Sequence, residues 1–172
     1  KENTVPARIR KLVVQVDGMG AALRGEVDAD VACGACTACC ASSQFVHVAP
    51  DEADALAHIP RELLFPAPGL PRGHVLMGYD ERGRCPMLTD TGCSIYEHRP
   101  RTCRTYDCRV FPAAGILPDD KPLVAARAAR WRFRYEAPDD EARHAAVRAA
   151  AAQLRGQASA TEVAVRAVVT TH

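Results

Sequence analysis

Eight cysteines carry most of the chemistry that this sequence offers, and all of them lie between positions 33 and 108. They form two groups: Cys33, Cys36, Cys39 and Cys40, then Cys85, Cys93, Cys103 and Cys108. Cysteines at C-x-x-C spacing bring their sulfurs close together, which suits metal ligation by thiolates. A disulfide framework is the alternative, but such scaffolds are short and spread their cysteines along the chain. Metal ligation implies a reducing compartment, so the sequence predicts a cytoplasmic, metal-binding protein.

The first cysteine group favours an iron–sulfur cluster over a single ion. Cys33, Cys36 and Cys39 repeat the C-x-x-C-x-x-C run of 4Fe–4S ferredoxins, whose remote ligand often precedes a proline, as Cys85 does here. These four cysteines are therefore the predicted ligands of an iron–sulfur cluster of the 4Fe–4S type. Plain zinc sites also use C-x-x-C, so Zn²⁺ or a simple iron site is the alternative.

The partition of the eight thiols stays open at this stage. Successive side chains generally diverge, so Cys39 and Cys40 would seldom serve one mononuclear ion. Two four-ligand sites, one cluster with spare thiols and a binuclear site with bridging sulfurs all fit the number of thiols. Among the histidines, His98 is the best additional ligand because it lies among the cysteines. No catalytic residue is identified, since no carboxylate pair, Ser-His-Asp set or H-E-x-x-H motif is found.

Apolar spacing and capping residues predict mainly helical flanks around this core. Helices are predicted over residues 5–24 and 139–155, with shorter ones that begin near Cys36 and after Ser159. A helix from Pro50 is expected to turn Ala53, Leu56 and Ala57 to the core. A further helix from Pro100 is expected to carry Cys103. Cys108 is expected past the end of the Pro100 helix. The aromatic content of 5% means that Ala, Val and Leu must fill most of the core.

Short strands are predicted between these helices. They are residues 45–48, residues 74–79, a hairpin return at 84–88, and residues 130–136, where aromatic and arginine side chains alternate. Residues 60–73 are rich in Pro and Gly and predict an irregular loop. We therefore expect an α+β fold, a small metal-stapled single domain over 1–172. Its metal-binding core is 33–108, with helical flanks at 5–24 and 139–170.

The charge balance argues against a polyanionic partner. The chain has 22 basic and 21 acidic side chains, a net charge of +1, which argues against a dedicated nucleic-acid or anionic-membrane binder. No apolar run approaches the length of about 20 residues that spans a bilayer. Arginines are interleaved with the second cysteine group, at Arg99, Arg101, Arg104 and Arg109. They could stabilise thiolates or be solvated helix-face charges, and both interpretations stay open.

Two segments carry a family resemblance: CGACTACC at 33–40 and RCPMLTDTGCSIYEHRPRTCRTYDC at 84–108. They resemble the YkgJ-type cysteine-cluster family of zinc- or iron-chelating domains, whose pattern is CxxCxxCC, C-P-x-L, G-C-S-I-Y-E-x-R-P and C-R. The resemblance implies seven metal ligands: Cys33, Cys36, Cys39, Cys40, Cys85, Cys93 and Cys103. Cys108 lies just outside the pattern. Tyr96 and Glu97, inside it, are the polar residues we expect near the ligands.

Three functions follow from these observations. The first is a metal-binding protein that holds an iron–sulfur cluster in electron transfer or metal handling. The second is a structural zinc domain that mediates contact with a protein partner. The third is a cluster-dependent enzyme such as a protein N-methylase, because flagellin lysine N-methylase contains a similar domain. However, this chain has no Gly-rich nucleotide-binding turn after a strand. The expected partner is a metal ion or cluster, with a protein as a further candidate and neither membrane nor nucleic acid.

Overall fold

The computed structural model describes residues 19–29, 31, 34–133, 135 and 137–171. Its internal contacts divide the chain into two compact units. The cysteine unit is Asp28–Tyr106, and the helical unit combines Lys1–Val27 with Asp107–His172. The predicted helix over 5–24 falls mainly outside the described residues, within which residues 19–23 are helical. The α+β class is confirmed, with mainly short helices and short antiparallel strands.

A three-stranded antiparallel sheet organises the cysteine unit. Its strands are β1 (Val46–Val48), β2 (Leu64–Pro66) and β3 (Val75–Met77), in the order β1-β3-β2. The strands predicted at 45–48 and 74–79 are confirmed. The loop predicted over 60–73 is wrong in part, because Arg61–Leu63 form a 3-10 turn and Leu64–Pro66 form β2, which pairs with β3. Val46, Val48 and Met77 are buried, so one face of the sheet covers a small apolar core.

The predicted hairpin return at 84–88 is wrong. β3 already pairs with strands on both of its edges, so it has no free edge for another partner. The chain instead forms a separate ladder, in which β4 (Leu88–Thr89) pairs with β5 (Gly92–Cys93). Leu88 lies opposite Cys93 in this ladder.

Helix α1 (Ala53–His58) begins later than the prediction from Pro50. The Glu52 carboxylate accepts the backbone N–H of Ala49 at 2.8 Å and that of Arg101 at 2.5 Å, and Glu52 takes the N-cap position. Within the helix Ala55 is buried and Leu56 is half-buried. Ala53 and Ala57, which were expected in the core, are exposed.

Two shorter elements carry cysteines. The helix expected near Cys36 is a single 3-10 turn, Cys39–Ala41. Helix α2 (Arg101–Arg104) follows Pro100 as predicted and carries Cys103. Thr102 Oγ1 donates to the carbonyl of His47 at 2.7 Å, which fixes α2 to β1.

The described part of the helical unit contains α3 (Val110–Ala114), α4 (Pro122–Ala128), α5 (Pro138–Leu154) and α6 (Ala160–Thr170). Helices α3, α5 and α6 pack on one another through small buried residues, with Phe111 as the largest. The helices predicted at 139–155 and after Ser159 are confirmed, and Ser159 Oγ accepts the N–H of Glu162 at 3.3 Å. None of the described helices has the length and apolar character that a membrane span requires.

The strand predicted over 130–136 is wrong for the residues that the structure describes, which have no strand conformation there. The aromatic side chains pack on the helical unit individually. The Phe133 ring lies 4.7 Å from that of His144, and the Tyr135 hydroxyl lies 2.6 Å from His144 Nδ1. The alternation of aromatic and arginine residues therefore reflects individual side-chain packing on helices rather than a β-strand.

Candidate metal centre

One cavity of about 630 Å³ in the cysteine unit collects most of the cysteines. Six thiol side chains line it: Cys36, Cys39, Cys40, Cys85, Cys93 and Cys103. Cys33 lies outside the described residues. Cys108 belongs to the helical unit, where it is buried and its sulfur accepts the indole N–H of Trp131 at 3.3 Å.

Backbone hydrogen bonds join the two cysteine groups. The N–H of Cys85 donates to the carbonyl of Cys40 at 2.7 Å, and the N–H of Ser43 donates to the carbonyl of Gly83 at 2.8 Å. Pairing between β4 and β5 brings Cys93 back toward Cys85. Residues distant in sequence thus reach one cavity through main-chain contacts.

The Cys85 thiol receives specific backbone support. The N–H groups of Met87 and Leu88 are directed to its sulfur and lower its pKa, although burial has the larger effect and raises the pKa overall. Hydrogen bonds to a charged sulfur favour the thiolate, which is the form that binds metal. The turn that follows Cys85-Pro86 therefore directs two N–H donors at the sulfur, which offsets part of the cost of burying the thiolate.

Cys39 and Cys40 interact directly. Their side chains hydrogen-bond to each other, which raises the pKa of Cys39 and lowers that of Cys40. Burial adds to the rise at Cys39. The neighbouring residues thus act as a coupled pair in the 3-10 turn, with Cys40 as the more acidic thiol.

The Cys103 thiol is affected both by burial and by other thiols of the cavity. Although Cys103 faces the open cavity, the pKa of its thiol is raised to about 12, mainly by burial and in part by the nearby Cys39, Cys85 and Cys93. Arg99 opposes this rise. A bound cation would remove the mutual repulsion of these thiolates and would displace their protons.

Some of the arginines near the second cysteine group lie where they could stabilise thiolates, and another is a solvated charge. Arg99 and Arg104 line the cavity, together with Arg84, which the sequence analysis did not single out although it precedes Cys85. Arg101 instead forms an exposed ion pair with Asp51 at 2.8 Å. Arg109 belongs to the helical unit.

Of the other polar residues expected near the ligands, some line the cavity and some do not. Tyr96 lines the cavity, and the Arg99 guanidinium lies 3.9 Å from the centre of its ring. Among the described residues, neither Glu97 nor His98 lines it. Sequence reasoning missed Gln44, which lines the cavity and whose buried Nε2 has no hydrogen-bond partner in the described part of the chain.

The donor set contains more thiols than a single zinc ion requires. A tetrahedral Zn²⁺ with Zn–S bonds of about 2.3 Å would hold its sulfurs about 3.8 Å apart. Within the described residues, no three cysteine sulfurs all lie within 4.8 Å of one another. Six thiols, the Gln44 amide donor and guanidinium groups around one cavity suit an anionic metal–thiolate centre.

Comparison with known proteins adds one match. A family described as "CxxCxxCC: Putative zinc- or iron-chelating domain" matches residues 32–120. This span includes every cysteine of the sequence. Neither a curated protein nor a solved structure matches the chain.

Proposed function

Because the chain belongs to the CxxCxxCC family of zinc- or iron-chelating domains, we propose that its cysteine unit holds an iron–sulfur cluster and acts in electron transfer or metal handling. The observation that carries this proposal is the set of six cysteines around one cavity. A single structural zinc ion needs only four ligands. Thiolate ligation also suits a reducing compartment, and we propose the cytoplasm.

The proposed cluster ligands are Cys36, Cys39 and Cys85, with Cys33 as the fourth. The first three line the same cavity. Cys40, Cys93 and Cys103 line it as well and could bind a second metal or bridge to the first. Cys108 stays a predicted ligand, which the Cys108→Ser variant tests separately.

When bound, an iron–sulfur cluster supplies one-electron redox chemistry. The protein residues would bind it and tune it. The N–H groups of Met87 and Leu88 would stabilise the Cys85 thiolate, and Arg99 would offset negative charge near Cys103. Val46, Met77 and Ile95 belong to the apolar core and line the cavity, so they would limit the access of water. Hydrogen bonds and charges at the sulfurs, together with the access of water, set the reduction potential of iron–sulfur centres.

A second candidate function is a zinc-stapled domain that binds another protein. An exposed aromatic surface in the cysteine unit favours it, formed by Phe45, Phe65 and Tyr79. The rings contact one another, with Phe45 centred 6.1 Å from Phe65 and 5.1 Å from Tyr79. Such aromatic groups are enriched where proteins meet.

Anaerobic purification without a metal-chelating tag tests the proposal. We expect brown protein that contains iron and acid-labile sulfide, and we expect Cys36→Ser and Cys85→Ser to lose both. Colourless anaerobic protein with stoichiometric zinc and no sulfide would favour the second function. Metal-free protein with all cysteines present would contradict both.

A further inference from the structure

A second group of side chains of metal-binding type lies in the cysteine unit and contains no cysteine. Asp54 and His58 are on α1, and His98 is in the 3-10 turn Tyr96–His98. One donor atom from each lies within 4.8 Å of the other two. The two imidazole rings are stacked, with centroids 3.6 Å apart and planes 5° apart.

The distances within this group resemble those of a metal coordination shell. Asp54 Oδ1 lies 3.2 Å from His98 Nδ1 and 3.5 Å from His58 Nδ1. A tetrahedral Zn²⁺ with nitrogen and oxygen ligands at about 2.0–2.1 Å would hold those ligands about 3.3 Å apart. The two oxygen-to-nitrogen distances are therefore close to those around one ion, and the stacked rings would have to turn for both Nδ1 lone pairs to point at it.

The hydrogen bonds of the group also involve the atoms that a metal would take. His98 Nδ1 lies 2.9 Å from Asp54 Oδ2, and His58 Nδ1 lies 2.8 Å from the Asp54 main-chain oxygen. Each Nδ1 therefore donates to an oxygen of Asp54. An ion bound at the two Nδ1 atoms would take the place of these protons, and each ring would then carry its proton on Nε2.

A second histidine pair in the same unit lacks this arrangement. His47 and His74 are also stacked, with centroids 5.1 Å apart, but His47 Nε2 bonds directly to His74 Nδ1 at 2.9 Å. Their ring nitrogens are bonded to each other rather than to one carboxylate. Stacking of two histidines therefore does not by itself identify a candidate metal site. The shared carboxylate of Asp54 distinguishes the first group.

We propose that His58 Nδ1, His98 Nδ1 and Asp54 Oδ1 form a second metal site, which binds one Zn²⁺ or a similar divalent transition-metal ion. The side chains are between 40% and 69% exposed, so an ion reaches them from solvent and water completes its coordination. Imidazole and carboxylate ligands are harder than thiolates, so this site differs in chemistry from the cysteine cavity. A bound ion would tie α1 to the turn between Cys93 and Cys103. The proposal does not depend on which metal the cysteines hold.

Titration of the purified protein, with its cysteine-bound metal retained, tests this site. Co²⁺ is the first probe, because cobalt bound to thiolate shows intense charge-transfer absorption that nitrogen and oxygen ligation lacks. We expect one added Co²⁺ equivalent with weak ligand-field bands and no thiolate charge transfer. Zn²⁺ should displace it and should raise the melting temperature.

Substitutions test whether the added ion binds at Asp54, His58 and His98. Asp54→Asn and His98→Gln should each weaken Co²⁺ binding at least tenfold, whereas the matched control His74→Gln should leave it unchanged. Circular dichroism and melting without added metal check the fold, and His58→Gln on the exposed surface of α1 is the second variant if His98→Gln misfolds. No added equivalent, thiolate charge transfer for that equivalent, or undiminished binding by Asp54→Asn and a folded histidine variant would each overturn the proposal.

Discussion

The backbone N–H of Cys85 donates to the carbonyl oxygen of Cys40 at 2.7 Å, which joins the last cysteine of the CxxCxxCC run to the Cys-Pro turn. A second bond, from the N–H of Ser43 to the carbonyl of Gly83 at 2.8 Å, extends the same contact. The two parts of the motif are thus joined through the main chain as well as through any bound metal. Substitutions at this contact should therefore affect both stability and metal retention.

Gly83→Ala should destabilise the protein through this contact. Gly83 has φ +73°, and a Cβ there would lie 2.3 Å from Ser43 Oγ. The left-handed conformation alone costs about 1–2 kcal/mol for a residue with a Cβ, and the contact with Ser43 adds to that cost. Chemical denaturation and metal content measure the two effects.

Gly69→Ala is the matched control for this prediction. Gly69 has φ +75° with nothing within 4 Å of the added Cβ, so it carries the conformational cost alone. The double variant Gly83→Ala with Ser43→Ala should recover part of the stability lost by Gly83→Ala. Equal losses for Gly83→Ala and Gly69→Ala would show that the approach of Ser43 has no energetic weight.

Local patterns in the sequence predicted the elements that local interactions determine. Pro100 before α2, Ser159 before α6 and the alternating valines of β1 each act within a few residues, and these elements were confirmed. The predicted start of α1 at Pro50 was wrong. Just before the observed start, Glu52 accepts the N–H of Arg101, a partner distant in sequence. Such contacts have no local signal.

The candidate site shows the same division. Spacing and family resemblance identified the cysteines, and six of them line one cavity. Gln44 and the Asp54–His98 contact were missed, because their relevance depends on how distant segments pack. The strand predicted around Trp131 was wrong because alternating aromatic residues can also pack singly on helices, as Phe133 does on His144.

Removing the metal should unfold the cysteine unit first. Its apolar core is small, with Val46, Val48, Met77 and Ile95 among its few buried residues, so metal-binding energy contributes much of its folding energy. We expect chelation, or Cys85→Ser, to lower the melting temperature by more than about 10 °C. Amide hydrogen exchange should show the largest loss of protection in β1 and β3.

Cys108→Ser provides the contrast for that experiment. Cys108 is buried in the helical unit and accepts a hydrogen bond from Trp131. If Cys108 is a ligand, its substitution should lower metal content as Cys85→Ser does. Full metal content in folded Cys108→Ser would remove Cys108 from the ligand set.

Asp107→Asn should strongly destabilise the helical unit. Asp107 and Arg109 form a buried ion pair at 2.7 Å, with side-chain exposures of 0% and 4%. Removing one partner of a buried ion pair typically costs about 3–5 kcal/mol. Asp51→Asn removes the exposed pair with Arg101 and should change stability far less. Denaturation of the two variants in parallel measures the contrast, and similar small losses would contradict it.

The helical unit should also lose stability in mild acid through His144. This histidine is buried, its Nε2 donates to the carbonyl of Ala113 at 2.9 Å, and its Nδ1 accepts from the Tyr135 hydroxyl at 2.6 Å. Both bonds fit the neutral ring. Burial lowers the pKa of His144, and the positive charge of Arg148 lowers it further.

The sign of the effect follows from this lowered pKa. Above the unfolded value of about 6.5, His144 is neutral in both states and its ionisation does not affect stability. As the pH falls below that value, the unfolded chain binds the proton first, so the free energy of unfolding falls until the pH passes the folded pKa. His144→Gln keeps a donor and an acceptor but does not titrate. We therefore expect the melting temperature of the wild-type protein to fall more steeply between pH 8 and pH 5 than that of His144→Gln, with metal loss common to both. Parallel pH profiles for the two proteins would show that His144 is not kept neutral by the fold.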